Sequence, residues 1–138
     1  MDGSVAHQLA ASIDRTIPLA YGGGALGEVA AYRFKCQVNE NAKSPAFSGG
    51  MPEMCHNEIC GWGQHGDATR QLMTVVRFRH DFEHPQVARR FDLTGEVLDE
   101  VVHAVTDVRA EGEGALAQLL DAYPEGPDLA TLGPVAVP

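Results

Sequence analysis

The chain has 138 residues, 44% of them hydrophobic and 21% charged, with a formal net charge of −9 at pH 7. That length fits one domain with a real core, and that apolar fraction excludes wholesale disorder. No apolar run approaches the roughly 18 residues of a membrane span, and the acidic balance argues against direct nucleic-acid binding, because phosphates repel it.

The charge is uneven. Residues 93–138 hold nine acids against Arg109 alone, while the first 92 residues are nearly balanced. Such a stretch reads first as a solvated acidic face. A sharper reading makes Glu96, Asp99, Glu100 and Asp107 a surface for a basic partner, or a mimic of nucleic acid. The start, Met1-Asp2-Gly3-Ser4, lacks the basic and apolar stretches of a signal peptide. Three cysteines, an odd number, do not make a complete disulfide framework. A reducing setting is therefore expected, either the cytoplasm or the inside of a virion or other assembly.

Taken in chain order, residues 1–18 read as a helix. Ser4 can cap it, Val5, Leu9, Ile13 and Ile17 recur at helical spacing, and Pro18 ends it. Tyr21-Gly22-Gly23-Gly24 reads as a flexible connector. It lacks the Lys-Ser/Thr ending of a phosphate-binding P-loop, and no strand is predicted before it. Residues 28–38 read as a strand, with Tyr32, Phe34, Cys36 and Val38 alternating with Ala31, Arg33, Lys35 and Gln37.

Residues 39–69 show no clear period and are broken by Pro45, Gly49, Gly50, Pro52, Gly61, Gly63 and Gly66, so a long loop is predicted. Residues 71–84 alternate again. Val76, Phe78, His80, Phe82 and His84 share one face of a second strand, which Pro85 stops. Such a strand is long enough to need a bend or bulge.

Residues 94–123 read as a helical acidic segment. Thr94 caps it, and Val97, Leu98, Val101, Val102, Val105 and Val108 form its apolar face. Gly112 and Gly114 break it before a short second helix over residues 115–123. Residues 124–138 form a Pro-rich tail, expected to pack on the body or on a neighbouring chain.

This order predicts a single α+β domain. A small antiparallel sheet built on two long strands is packed by an N-terminal helix and two C-terminal helices, with a long Cys/His loop outside. A two-stranded ribbon is marginal alone, so it needs helices, further strands or another subunit.

The chemistry in the sequence gathers in that loop. Cys55-x4-Cys60-x4-His65, with Cys36 upstream, supplies the Cys3His ligands of a tetrahedral zinc site, and His80 is an alternative ligand. A plant-type iron–sulfur pattern needs a further cysteine at position 63, which is Gly. The same residues also read as a buried hydrophobe at Cys36 and as free or paired thiols at Cys55 and Cys60. Cys55 and His56 have no evident third group to orient them as a nucleophilic pair. Arg77, Arg79, Arg89 and Arg90 suit a phosphate or carboxylate, or pair with local acids.

The expected function is a non-enzymatic interaction or assembly protein. It would be a subunit of a larger complex or a phage or virion accessory, stapled by zinc and working through a protein partner or self-association. One alternative is a small metal-dependent enzyme whose zinc keeps an open position, with Glu53 or Glu58 as base. Another is an acidic inhibitor or nucleic-acid mimic.

Overall fold

The centre of the molecule is β1 (Ile17–Gly23). In the computed structural model, which describes residues 4–111, β1 pairs in parallel with β2 (Phe47–Met51) on one side and β3 (Met73–His80) on the other. β3 pairs in parallel with β4 (Ala104–Ala110), giving a four-stranded sheet in the order β2-β1-β3-β4. The register sets Ala20 beside Ser48 and Val76, and Val76 beside Thr106.

Parallel strands need crossovers, and helices supply them. α1 (Val5–Ile13) leads into β1, and α2 (Gly24–Gln37) joins β1 to β2. The short α3 (Glu58–Trp62) and α4 (Gly66–Leu72) join β2 to β3, and α5 (Pro85–Val101) joins β3 to β4.

Helices therefore cover both faces. On one face, Leu19, Tyr21 and Val75 pack with Met51, Met54, Trp62, Phe91, Leu98 and Val102. On the other, Ala20, Val76, Phe78 and Val108 pack with Leu9, Ala30, Ala31 and Phe34. Strands buried on both faces lose the alternation of a half-exposed sheet. β1 is buried almost throughout, and that is why its sequence does not alternate.

The fold is thus α/β with an all-parallel sheet, which corrects the expected α+β antiparallel ribbon. Each misreading has a local cause. The Ser4 cap is real, its Oγ accepting from the His7 amide at 3.3 Å, but α1 stops at Ile13. Ile17 and Pro18 then open β1, where a proline is tolerated at a strand start. The supposed strand over 28–38 lies within α2 and the turn that follows it. Ala30, Ala31, Phe34 and Gln37 give it a buried helical face, while Tyr32 is 59% exposed. Leu26 and Val29 lie on its exposed side, so no clean stripe marks it as a helix.

The predicted loop over 39–69 contains β2, α3 and most of α4. Gly49 and Gly50 disguise β2. They are small because the Tyr21 ring packs on Gly49 and the Glu28 carboxylate lies against Gly50. The strand over 71–84 shortens to Met73–His80, and Pro85 begins α5 with His84 as its cap. The valine stripe from Val97 to Val108 is shared between α5 and β4. The expected helix over 115–123 and the Pro-rich tail lie outside the described residues. Among the described residues, no helix is long and apolar enough to cross a membrane.

Candidate functional site

All four strands end on the same edge of the sheet. In open parallel sheets the ligand crevice forms at that carboxyl edge, where neighbouring strands send their connections to opposite faces. Here β1 leaves towards α2 on one face and β3 leaves towards α5 on the other. The candidate site lies between the ends of these two strands, bordered by the end of β2.

The β1 end is built on glycine. A Cβ at Gly22 would sit 1.8 Å from the Gly27 carbonyl oxygen, so only glycine lets α2 begin this close to β1. Gly24 has φ +64°, a left-handed conformation that glycine adopts without strain. The cap residue, Gly23, offers no side-chain acceptor to the first amides of α2.

The β3 end is tied down by charge. Arg79 donates to Glu83 at 2.9 Å, both side chains being buried, and stacks 4.6 Å over the Phe91 ring. Glu83 also accepts from the His80 amide at 3.1 Å. The His80 ring reaches across to β1, with Nε2 3.1 Å from the Gly23 carbonyl oxygen.

The β2 end turns through residues 52–57 before α3. Glu53 accepts from the Asn57 side chain at 3.1 Å, and Asn57 accepts from the Glu58 amide at 2.6 Å to cap α3. Glu58 in turn accepts from the Tyr21 hydroxyl. Burial, reinforced by that carboxylate, raises the Tyr21 pKa well above the ordinary phenol range. His56 is exposed on this turn.

Burial pushes the Cys55 thiol up, against the opposing pull of Arg90. Cys55 is held within the apolar turn, 3.0 Å from the Met51 sulfur. It is accordingly a protonated packing group at neutral pH.

At the opposite edge, α2 continues into a π-helical turn, Val38–Ala42. Asn41 donates to Gln37, Asn39 donates to the Ser44 carbonyl at 2.9 Å, and Lys43 adopts φ 55°. π-turns are frequent at functional sites. This one carries an exposed Glu40, a residue that its sequence setting did not single out.

The expected ligand set is dispersed. Cys36 lies on α2, which covers one face, while Cys60 lies on α3, which covers the other. Cys55 and His65 sit in separate 3-10 turns, and His80 is at the end of β3. Among the described residues, no three His, Cys, Asp or Glu side chains gather where an ion could be held.

The expected acidic surface divides in the same way. Glu96, Asp99 and Glu100 are exposed on α5, but Asp107 lies on β4 and accepts from Arg77 at 2.5 Å. The paired roles of Tyr21 and Glu58, and the contact of His80 with Gly23, were not visible in sequence. Each joins residues far apart in the chain, and only the parallel sheet reveals them.

Comparison with known proteins points one way. A family model described as the bacterial phospho-glucose isomerase C-terminal SIS domain matches residues 3–124. A bifunctional phosphoglucose/phosphomannose isomerase of Caldicellulosiruptor bescii is 32% identical over 116 residues, covering 84% of this chain and 34% of its own length. The corresponding protein of Aquifex aeolicus is 33% identical over 104 residues, 75% of this chain and 32% of its own.

A D-glucosamine-6-phosphate 4-epimerase of Sulfolobus acidocaldarius is 44% identical over 59 residues, 43% of this chain and 19% of its own. The chain thus spans about a third of the two isomerases it matches. The crystal structure of a glucose-6-phosphate isomerase like protein from Thermus thermophilus superposes with a TM-score of 0.64 at 20% identity. It covers 85% of this chain and 38% of that one, and it supports the α/β fold. These relatives overturn the expectation of a non-enzymatic, zinc-stapled assembly protein and the alternatives of a zinc enzyme or acidic mimic.

Proposed function

The chain belongs to the bacterial phospho-glucose isomerase C-terminal SIS domain family, and from that premise we propose that it provides part of an isomerase acting on phosphorylated glucose and mannose. The observation that carries this reading is the match over residues 3–124. It is supported by two isomerase relatives that each align with at least 75% of the chain.

Isomerisation of a sugar moves a proton between neighbouring carbons, which calls for positioned acid–base groups. The described residues offer such groups at both edges of the sheet. His56 and Glu53 stand exposed on the turn after β2, and Glu40 stands exposed on the π-turn after α2. Glu58 is engaged by Tyr21 and serves to hold the turn rather than to exchange protons.

The test is solvent-deuterium incorporation during turnover, with the polypeptide purified as its cell makes it. Glucose 6-phosphate and mannose 6-phosphate are each supplied in D2O. Deuterium appearing beside the carbonyl carbon of the product supports the reading; no turnover of either sugar overturns it. The local match to a 4-epimerase makes glucosamine 6-phosphate the third substrate to assay. Turnover of that sugar alone would move the assignment to epimerisation.

A further inference from the structure

The chain has three cysteines and four methionines, and three of these sulfur residues fall between Met51 and Cys55. The fold turns them toward one another. Met51 closes β2, and the 3-10 turn Glu53–Cys55 follows at once. Two backbone hydrogen bonds fix that turn. The Cys55 amide donates to the Pro52 carbonyl at 3.0 Å, and the His56 amide donates to the Glu53 carbonyl at 2.9 Å. As a result, the Cys55 Sγ lies 3.0 Å from the Met51 Sδ and 3.8 Å from the Met54 Sδ.

The surroundings are dry on one side. Met51 and Met54 are each 1% exposed and belong to the core cluster that includes Tyr21, Trp62 and Phe91. Cys55 packs against that cluster but is only partly buried, so access is from the thiol.

We propose that Met51, Met54 and Cys55 form a binding site for a soft monovalent metal ion of the Cu(I) class. Thiolate and thioether sulfurs are the donors that such an ion prefers. No redox step is needed. The thiol releases its proton to solvent, the ion takes one bond from the thiolate and two dative bonds from the thioethers, and the charge of the site is unchanged. Arg90, close enough to act on Cys55, favours the thiolate.

The geometry needs little adjustment. Metal–sulfur bonds of about 2.3 Å set the sulfurs of a planar three-coordinate site about 4 Å apart. The separation of Cys55 from Met54 is already close to that. The separation from Met51 must widen by about 1 Å, which the unbranched methionine side chain can supply. This set shares only Cys55 with the expected Cys/His ligands. It does not suit zinc, which takes four donors from cysteine, histidine and carboxylate. His56 follows Cys55 in the chain, so an ion held here braces the turn that carries it. The proposal is independent of the isomerase reading.

The experiment is an anaerobic titration of the full chain with Cu(I) against a chromophoric Cu(I) chelator, with Zn(II) in parallel. Cys36→Ser with Cys60→Ser removes the other thiols and serves as the background. One Cu(I) per chain should be retained in that background, with only sulfur neighbours in the X-ray absorption spectrum. Adding Cys55→Ser should abolish retention. Met51→Leu and Met54→Leu should each weaken it about tenfold.

Leucine nearly conserves the volume of methionine, so both variants are expected to fold. The methyl resonances of Met51 and Met54 in the unsubstituted chain give a reading free of mutation: both should shift with the first equivalent of Cu(I). Unmoved methyl signals, or undiminished retention in both leucine variants, would reduce the site to a lone thiol and overturn the proposal. Failure of the background protein to retain Cu(I), or equal affinity for Zn(II), also overturns it.

Discussion

The Tyr21 hydroxyl, in the middle of β1, donates to the Glu58 carboxylate at the start of α3. One hydrogen bond thereby ties the central strand to the segment that follows β2. Removing it with Tyr21→Phe loses a hydrogen bond to an exposed carboxylate that water can re-solvate, and should cost about 1 kcal/mol, read as a lower urea midpoint. The pH dependence follows from the raised phenol. Above its ordinary value the folded state keeps a proton that the unfolded state has lost, so stability is full below about pH 10 and declines above it. Tyr21→Phe should abolish that alkaline decline, and an unchanged profile would remove Tyr21 as its source.

Arg79 and Glu83 form a buried ion pair, with side-chain exposures of 7% and 4%. Truncating Glu83 leaves the enclosed Arg79 with only the exposed Asp92, 3.4 Å away, as a charge partner, so Glu83→Ala should destabilise by about 2–3 kcal/mol, less than a wholly unpaired charge would. The double change Arg79→Met with Glu83→Leu should cost less than either single truncation. Denaturant unfolding of the three variants checks both statements.

Gly22→Ala places a methyl group against the backbone of α2, where no side-chain rotation can relieve it. A loss above about 4 kcal/mol is expected, at the limit of what single substitutions do. A variant with near-native thermal stability would show that the turn yields.

Thiol chemistry separates the cysteines. Cys60 is exposed, while Cys55 is partly buried with a raised pKa. Alkylation near pH 8 should reach Cys60 first and Cys55 slowly. Because the expected zinc ligands are dispersed, a strong chelator should leave the melting temperature unchanged. A marked drop would restore the metal.

The proposed activity has candidate proton-transfer groups at two edges of the sheet, His56 and Glu53 at one and Glu40 at the other. Glu40→Gln and His56→Gln test the two edges separately: the variant at the edge that holds the chemistry should lower kcat by about 10²–10⁴-fold, the other little. Both sites are exposed, so stability should stay within about 0.5 kcal/mol of wild type. Full activity in both variants would move the chemistry elsewhere.

Much local structure is legible in the sequence and little of the architecture. The Ser4 cap, the core of the β3 run and the break at Pro85 all follow from local rules, which depend only on near neighbours. Helix α2 reads as a strand because Tyr32, Phe34 and Cys36 happen to alternate while Ala30 and Ala31 carry little hydrophobic signal. Strand β2 is hidden because its glycines are demanded by Tyr21 and Glu28 from other elements. The site escapes for the same reason. Clustering of cysteines in sequence suggests a metal, whereas the sheet puts Cys36 and Cys60 on opposite faces and brings His80 to Gly23.

The central place of β1 bears on how the chain comes into being. Leu19 pairs with Phe47 and Ile17 with Met73, so the first strand of the sheet to be synthesised must wait for the third before both its edges are covered. During translation β1 and α2 emerge long before β3 exists, and the middle of the sheet waits with one edge of unpaired backbone N–H and C=O groups. Loop-closure entropy delays such distant pairings, and exposed strand edges invite aggregation meanwhile. The strand that looks like punctuation in the sequence is therefore the one that waits longest during synthesis for its second neighbour.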